Sequence, residues 1–110
     1  MRHYFKIIKL NTGFQFVMIP NNNHDQPMGY SQEFDTYISC KKALDEFRCF
    51  VTLEMTEENQ HVGKYGNNGY EYRIMDNNGN TMFFNKNYGI KIKAENSMKS
   101  IIKRIDSPLK

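Results

Sequence analysis

Two similar halves make up this sequence, and their similarity constrains the fold more than any other feature. An offset of 56 places residues 13–16 (GFQF) over 69–72 (GYEY), and an offset of 54 places 28–34 over 82–88. The second offset also superposes apolar positions farther along the chain: Ala43, Leu44 and Phe47 fall on Ser97, Met98 and Ile101. Similarity in the same order predicts one supersecondary unit that is used twice.

The first half begins with the pattern of antiparallel strands. Residues 3–10 (HYFKIIKL) and 14–19 (FQFVMI) are rich in β-branched and aromatic residues, and the Asn-Thr-Gly between them is a turn signal. Alternation of phenylalanine with other residues in the second segment is typical of a strand with one buried side. Residues 27–34 (PMGYSQEF) are predicted to form a third strand.

A helix is predicted after the strands of each half. Apolar residues recur at helical spacing in the first half: Cys40, Ala43, Leu44, Phe47, and Phe50 or Val51. Thr36 or Ser39 is expected to cap this helix, because either hydroxyl can accept a free backbone N–H. In the second half the strand pattern changes to a helical one between Ile90 and Ala94. We expect four helix residues to be buried under the sheet: Leu44, Phe47, Met98 and Ile101.

The sequence therefore predicts an α+β protein, in which tandem β3α repeats form a single antiparallel sheet with two helices packed on one face. We expect a single domain over 1–110, with repeat one at about 3–54 and repeat two at about 60–106. Val, Ile, Leu and Phe supply 25 of the 110 residues, which favours a folded chain with a thin core. Neither a secretion signal nor a long apolar run is present, which predicts a cytoplasmic protein.

This pattern resembles the YegP-like family, a domain of unknown function found in small bacterial proteins. The resemblance rests on the opening strand YFKIIK, a glycine hairpin into an aromatic strand, and GYSQEF followed by a helix with ALDEF. It extends from Tyr4 to about Ile105, with Asn85 in the second half where the first has Ser31. It implies that the two units share one sheet and that each helix packs across onto the other unit. The family has no established catalytic residues, so the resemblance implies none here.

Residues 11–19 (NTGFQFVMI) partly match the aromatic signature of RNA-recognition strands. In that fold the signature lies on the third strand, after a β-α-β segment, and here only ten residues precede it. Topology therefore argues against an RNA-recognition fold. The aromatic residues of the two similar segments are predicted to lie in the core: Phe14, Phe16, Tyr70 and Tyr72.

The sequence carries no pattern of catalytic or metal-binding residues. The histidines lie far apart, at His3, His24 and His61. Cys40 and Cys49 are nine residues apart, so they point to opposite sides of one helix and are predicted to be buried free thiols. Both cysteines are predicted to be inert, and a reactive thiol at Cys49, next to the charge of Arg48, is the alternative. We predict a protein that is not an enzyme and uses no cofactor or metal.

Positive charge is concentrated near the C-terminus, where residues 86–110 hold seven basic residues against Glu95 and Asp106. Such an excess favours a phosphate or an acidic partner, although many charged helix faces are only solvated. The candidate nucleic-acid contacts are Lys91, Lys93, Lys99, Lys103 and Arg104.

The sequence thus predicts a non-enzymatic structural or protein-interaction module. The alternative is weak, non-sequence-specific nucleic-acid binding through the basic C-terminal helix. The long apolar strand 3–10 also favours a homodimer, because an uncovered strand edge can pair with another chain.

Overall fold

The computed structural model describes residues 3–20 and 26–110, which form an α+β fold around one six-stranded antiparallel sheet. The strands are β1 (Tyr4–Leu10), β2 (Gly13–Ile19), β3 (Gly29–Tyr30), β4 (Gln60–Tyr65), β5 (Gly69–Met75) and β6 (Thr81–Tyr88). The helices are α1 (Tyr37–Leu53) and α2 (Lys91–Lys103), and a 3-10 turn covers Glu57–Asn59. The fold class predicted from the sequence is confirmed.

The two halves of the chain meet in the middle of the sheet, whose strand order is β1-β2-β3-β6-β5-β4. Tyr30 of β3 pairs there with Phe84 of β6, and these are residues that the offset of 54 superposes in the sequence. Duplication of a β3α unit would give this arrangement about a pseudo-twofold axis between β3 and β6. The internal repetition of the sequence itself stays a prediction.

Both helices cover the same face of the sheet, and one apolar core lies beneath them. The four helix residues predicted to be buried are all in this core: Leu44, Phe47, Met98 and Ile101. The expectation that each helix packs across onto the other unit is wrong, because α1 lies against β1 and β2, and α2 against β4, β5 and β6. The apolar stripe of α1 meets an aromatic side chain of its own half, with the ring of Phe47 centred 5.7 Å from that of Phe16. Phe47 also reaches the other half, where its ring centroid lies 5.1 Å from that of Phe83.

The third strand is much shorter than the predicted segment 27–34, and Ser31 explains why. This fully buried serine donates its N–H to the carbonyl of Phe16 at 2.9 Å, and its Oγ accepts the Phe16 N–H at 2.9 Å. The hydroxyl thus takes the place of a backbone carbonyl, and the regular ladder ends. Pairing resumes only locally, where Phe14 and Phe34 exchange backbone hydrogen bonds of 2.8 and 2.7 Å.

Close packing at the junction of the two halves requires a glycine. A Cβ atom on Gly29 would lie 2.2 Å from the Tyr72 hydroxyl oxygen and 2.4 Å from a ring carbon of Phe83. That hydroxyl donates to the carbonyl of Met28 at 2.7 Å, and Asn85 Nδ2 donates to the same oxygen at 3.3 Å. Burial raises the pKa of Tyr72 well above its ordinary value, so its phenol stays a hydrogen-bond donor.

The two helices begin differently. In α1, both residues that the sequence offered as caps are used: Thr36 is the N-cap and accepts the Ser39 N–H at 3.0 Å, while Ser39 Oγ accepts the Thr36 N–H at 3.3 Å. This reciprocal pair satisfies backbone donors that a helix start leaves free. α2 begins at Lys91 after Ile90, within the predicted interval, and has no side-chain cap.

The segment that follows α2 crosses back to the first half. Arg48 of α1 donates from Nη2 to the carbonyl of Ser107 at 2.6 Å, and its guanidinium lies 5.0 Å from the centroid of the Phe5 ring. Phe5 donates its N–H to the carbonyl of Pro108 at 2.7 Å and accepts the N–H of Lys110 at 2.9 Å. The outer edge of β1 is therefore partly occupied by the chain itself. Self-association through this edge stays a prediction, which light scattering at high concentration tests.

Candidate functional site

The basic residues proposed from the sequence do not form one surface. At 100° per residue, Lys99 and Lys103 share the side of α2 that points away from the buried Ala94, Met98 and Ile101. By the same geometry, Lys93 and Arg104 lie on one flank of the helix and Lys91 on the other. The set predicted to act together is thus divided over three directions.

Two members of that basic set also have partners within the protein. Lys99 Nζ lies 2.8 Å from Glu95 Oε1, and Arg104 Nη1 donates to Ser100 Oγ at 2.7 Å. Arg104 is half-buried and close to His3, whose pKa is lowered by burial and then by the charge of Arg104. All four lysines of the set are exposed, and Lys99 is so in spite of its ion pair with Glu95.

The nucleophile candidates have separate environments. Cys40 is fully buried on the apolar side of α1, where burial raises the pKa of its thiol. Both thiols are free, as the helical spacing predicted. The prediction that both are buried is wrong for Cys49, which is exposed because it lies off the apolar side of α1. Of the histidines, His24 lies outside the described residues. Within ranges 3–20 and 26–110 no three His, Cys, Asp or Glu side chains are grouped closely enough to hold a metal ion.

A cleft of about 220 Å³ opens on the helix-covered side, with an apolar floor that includes Phe34 and Met82. The carboxylates at its rim are Glu46 and Asp76. Asp76 is occupied by its own turn: its Oδ1 accepts the N–H of Asn80 and that of Asn78, each at 2.9 Å. These hydrogen bonds lower the pKa of Asp76. Its carboxylate therefore caps a turn and is not free for a ligand.

The face of the sheet opposite the helices offers a more coherent site, which we call the open face. Directly opposite residues of antiparallel strands project to the same face, and the registers define one row across all six strands. This transverse row consists of Lys6, Val17, Tyr30, Phe84, Arg73 and His61. Strands spaced by about 4.8 Å give it a length of about 24 Å.

The transverse row has aromatic rings at its centre and cations toward its ends. Tyr30 and Phe84 are half-buried, with ring centroids 6.2 Å apart and planes inclined by 40°. Val17 beside them is fully buried, while Lys6 at the end of the row is exposed. The Arg73 side chain is 41% exposed. An apolar, aromatic floor is thus flanked by positive charge.

Further positive charge borders this row. Lys86 lies on the same face, with its Nζ 4.9 Å from the centroid of the Tyr65 ring. Among the strand residues described on this face, Glu71 is the one acid, and its Oε2 lies 3.4 Å from Arg73 Nε. The open face therefore carries a net positive charge, and its carboxylate is already paired.

Sequence reasoning considered other aromatic residues for base stacking and missed Tyr30 and Phe84. Of the four residues assigned to the core, Phe16 and Tyr72 are fully buried and Phe14 packs against the core. Tyr70 is half-buried and is not part of the core, so the prediction is wrong for that residue. A signal was nevertheless present, since the alignment of the two halves superposes Tyr30 on Phe84. A pseudo-twofold arrangement brings such residues together only if the sheet is joined at their strands, which the sequence does not specify.

Comparisons with known proteins identify the fold. No protein-family model and no curated protein sequence matches this chain. The structure is similar to that of YegP from E. coli, a protein of unknown function, with a TM-score of 0.80 and 17% identity over 100% of this chain and 92% of that one. It is also similar to a UPF0339 protein from Shewanella oneidensis, with a TM-score of 0.79 and 13% identity over 100% and 91% of the two chains. The chain has a YegP-like fold, as the sequence resemblance implied.

The comparisons supply no activity for this fold, since the E. coli protein is described as being of unknown function. Within the part of the chain that the structure describes, the helices are too short or too polar to span a bilayer.

Proposed function

We propose that this protein is a non-enzymatic binding module and that the open face of its sheet is the surface that contacts the ligand. The observation that supports this most directly is the transverse row, in which Tyr30 and Phe84 form an aromatic centre between Lys6 and Arg73. Aromatic residues and arginine are enriched where proteins contact partners. The row is built on strands, so its side chains are held in a fixed arrangement.

The surroundings of the reactive side chains support a binding role over catalysis. Nucleophilic catalysis requires a nucleophile, a base and an orienting group within hydrogen-bond reach. Cys40 is enclosed by the core, and the Asp76 carboxylate in the cleft is engaged by backbone donors. The open face instead presents cations and rings, which bind ligands without covalent chemistry.

A test of this proposal is to measure which material the immobilised protein captures from native cell extract. The immobilised protein is compared with two variants that have the same change in charge: Lys6→Glu/Lys86→Glu on the open face and Lys99→Glu/Lys103→Glu on α2. We expect the open-face variant to lose the material that the wild type captures and the α2 variant to keep it. Identical capture by the wild type and the open-face variant would remove the proposal. Loss in the α2 variant alone would instead support the basic helix as the binding surface.

A further inference from the structure

We infer that the open face binds single-stranded nucleic acid, with bases stacked on Tyr30 and Phe84 and phosphates near Lys6 and Lys86. This inference rests on the proposed binding role of the same face and adds the chemical class of the ligand. Single strands bind where aromatic side chains alternate with a positively charged groove, because every base has a π-face and every nucleotide has a phosphate.

The centre of the row fits two bases. The rings of Tyr30 and Phe84 are adjacent, and their strands are paired at these residues. In sheet platforms that bind RNA, two or three bases stack on strand aromatics. Backbone hydrogen bonds join β3 to both β2 and β6, so this pair of rings lies on a rigid support.

The charges of the face fit phosphates on either side of those bases. Lys6 is three strands from Phe84 on one side. On the other side, Lys86 Nζ lies 4.9 Å from the centroid of the Tyr65 ring, and Tyr65 belongs to β4 at the opposite edge of the sheet. Glu71, paired with Arg73, adds little repulsion. A chain that crosses the strands along the row would meet positive charge before and after the aromatic centre.

Two other occupants fit the face less well. A second copy of this chain would bring a positive face against itself, because the Lys6, Arg73 and Lys86 side chains of one copy would face those of the other. An acidic peptide would use the cations but has no need of two adjacent rings. A single strand of nucleic acid uses both the rings and the cations, because its bases are unpaired and each nucleotide carries a phosphate. A duplex keeps its bases stacked internally and offers mainly phosphates.

Fluorescence anisotropy with labelled ten-nucleotide RNA and DNA of mixed sequence tests the inference on the full chain. We expect dissociation constants on the order of micromolar at low salt and weaker binding to a duplex of equal length. The logarithm of the association constant should fall linearly with the logarithm of the salt concentration, with a slope of about −0.7 per phosphate contact. Lys6→Gln/Lys86→Gln should reduce that slope. The matched pair Lys99→Gln/Lys103→Gln should leave it unchanged.

Variants of the aromatic pair separate stacking from general packing. Phe84→Leu keeps an apolar side chain of similar size but has no ring, and it should weaken binding at least about fivefold. Tyr30→Leu should do the same, while Tyr30→Phe should retain affinity. Tyr37 is the aromatic control, since it is 50% exposed on α1, away from the open face, and Tyr37→Leu should have no effect. Melting curves that match the wild type verify that each variant is folded.

Several outcomes would overturn the inference. These are the absence of binding to every probe at low salt, equal displacement of the probe by a polyglutamate peptide of the same charge, and loss of affinity in the α2 variant alone. Conversion of a dimer to a monomer by Phe84→Leu would assign the face to a second copy. If capture from extract depends on the open face but survives nuclease treatment, the proposed binding role is supported. The inference that the ligand is a nucleic acid is then wrong.

Discussion

The two faces of the sheet use neighbouring residues of the same strand for different purposes. Phe83 points toward the helices and is fully buried, while Phe84 points to the open face and is half-buried beside Tyr30. Gly29 and Tyr30 show the same contrast on the partner strand, because the glycine makes room for Tyr72 and the tyrosine lines the open face. Residue type alone therefore does not separate a core aromatic from one that lines the open face. The face to which the side chain projects makes that distinction.

The largest expected effect is on the helix-covered face. Phe47→Ala removes a ring that lies 5.1 Å from that of Phe83 and 5.7 Å from that of Phe16. The loss of a buried phenylalanine side chain lowers the free energy of unfolding by about 3–5 kcal/mol. Urea denaturation measures this change, with Tyr37→Ala as the exposed aromatic control. Equal destabilisation by the two substitutions would mean that α1 does not cover the core as described.

A smaller effect is expected where the halves join on that same face. Gly29→Ala introduces a methyl group that would clash with Tyr72 and Phe83, and overpacking of this kind costs about 1–3 kcal/mol. Gly89→Ala is the control, because its added Cβ would meet no atom within 4 Å. Thermal melting of the two variants compares them directly. A Gly29 variant as stable as the Gly89 variant would contradict the close packing at the junction.

The pH dependence of stability gives a third comparison, through a tyrosine of the covered face. Burial raises the folded-state pKa of Tyr72, whereas an unfolded tyrosine loses its proton near pH 10. Above about pH 10 the folded state therefore binds more protons, and the free energy of unfolding should fall as the pH rises. Denaturation curves should show a shallower fall for Tyr72→Phe. Burial also raises the pKa of Tyr88. Because Tyr88 is still present in that variant, part of the dependence of stability on pH should remain.

The smallest effect on stability is expected on the open face. Lys6→Gln changes an exposed side chain at the end of the transverse row, and its free energy of unfolding should stay within about 0.5 kcal/mol of the wild type. Chemical denaturation measures this value. A loss as large as that of Gly29→Ala would show that the open face is needed for folding, and the contrast between the two faces would be lost.

Much of the fold followed from local patterns. Alternation in 14–19 predicted β2, helical spacing of Leu44 and Phe47 predicted the buried side of α1, and Thr36 with Ser39 predicted its start. These features depend on contacts within a few residues, so the sequence records them directly. The short third strand was not predicted, because Ser31 ends the ladder by bonding to Phe16, a residue of another strand.

The candidate site shows the same difference between local sequence patterns and contacts across the sheet. The five basic residues of the last helix were identified as one patch because they are close in sequence, yet helical geometry points them in three directions. The transverse row brings together residues from all six strands, from Lys6 to Phe84, and no sequence motif connects them.

The motifs of the sequence carried a resemblance to the YegP-like family. The sequence by itself also determined the helices, the strands other than the short β3, and the alternation of buried and exposed positions. The elements and their buried positions depend on the period of a local element, which is 2 for a strand and 3.6 for a helix. Tertiary structure decided that β3 joins β6, that each helix covers its own half, and that Tyr30 meets Phe84. Strand order and register are set by contacts between residues far apart in the chain, and those contacts form only when the whole sheet closes over one core.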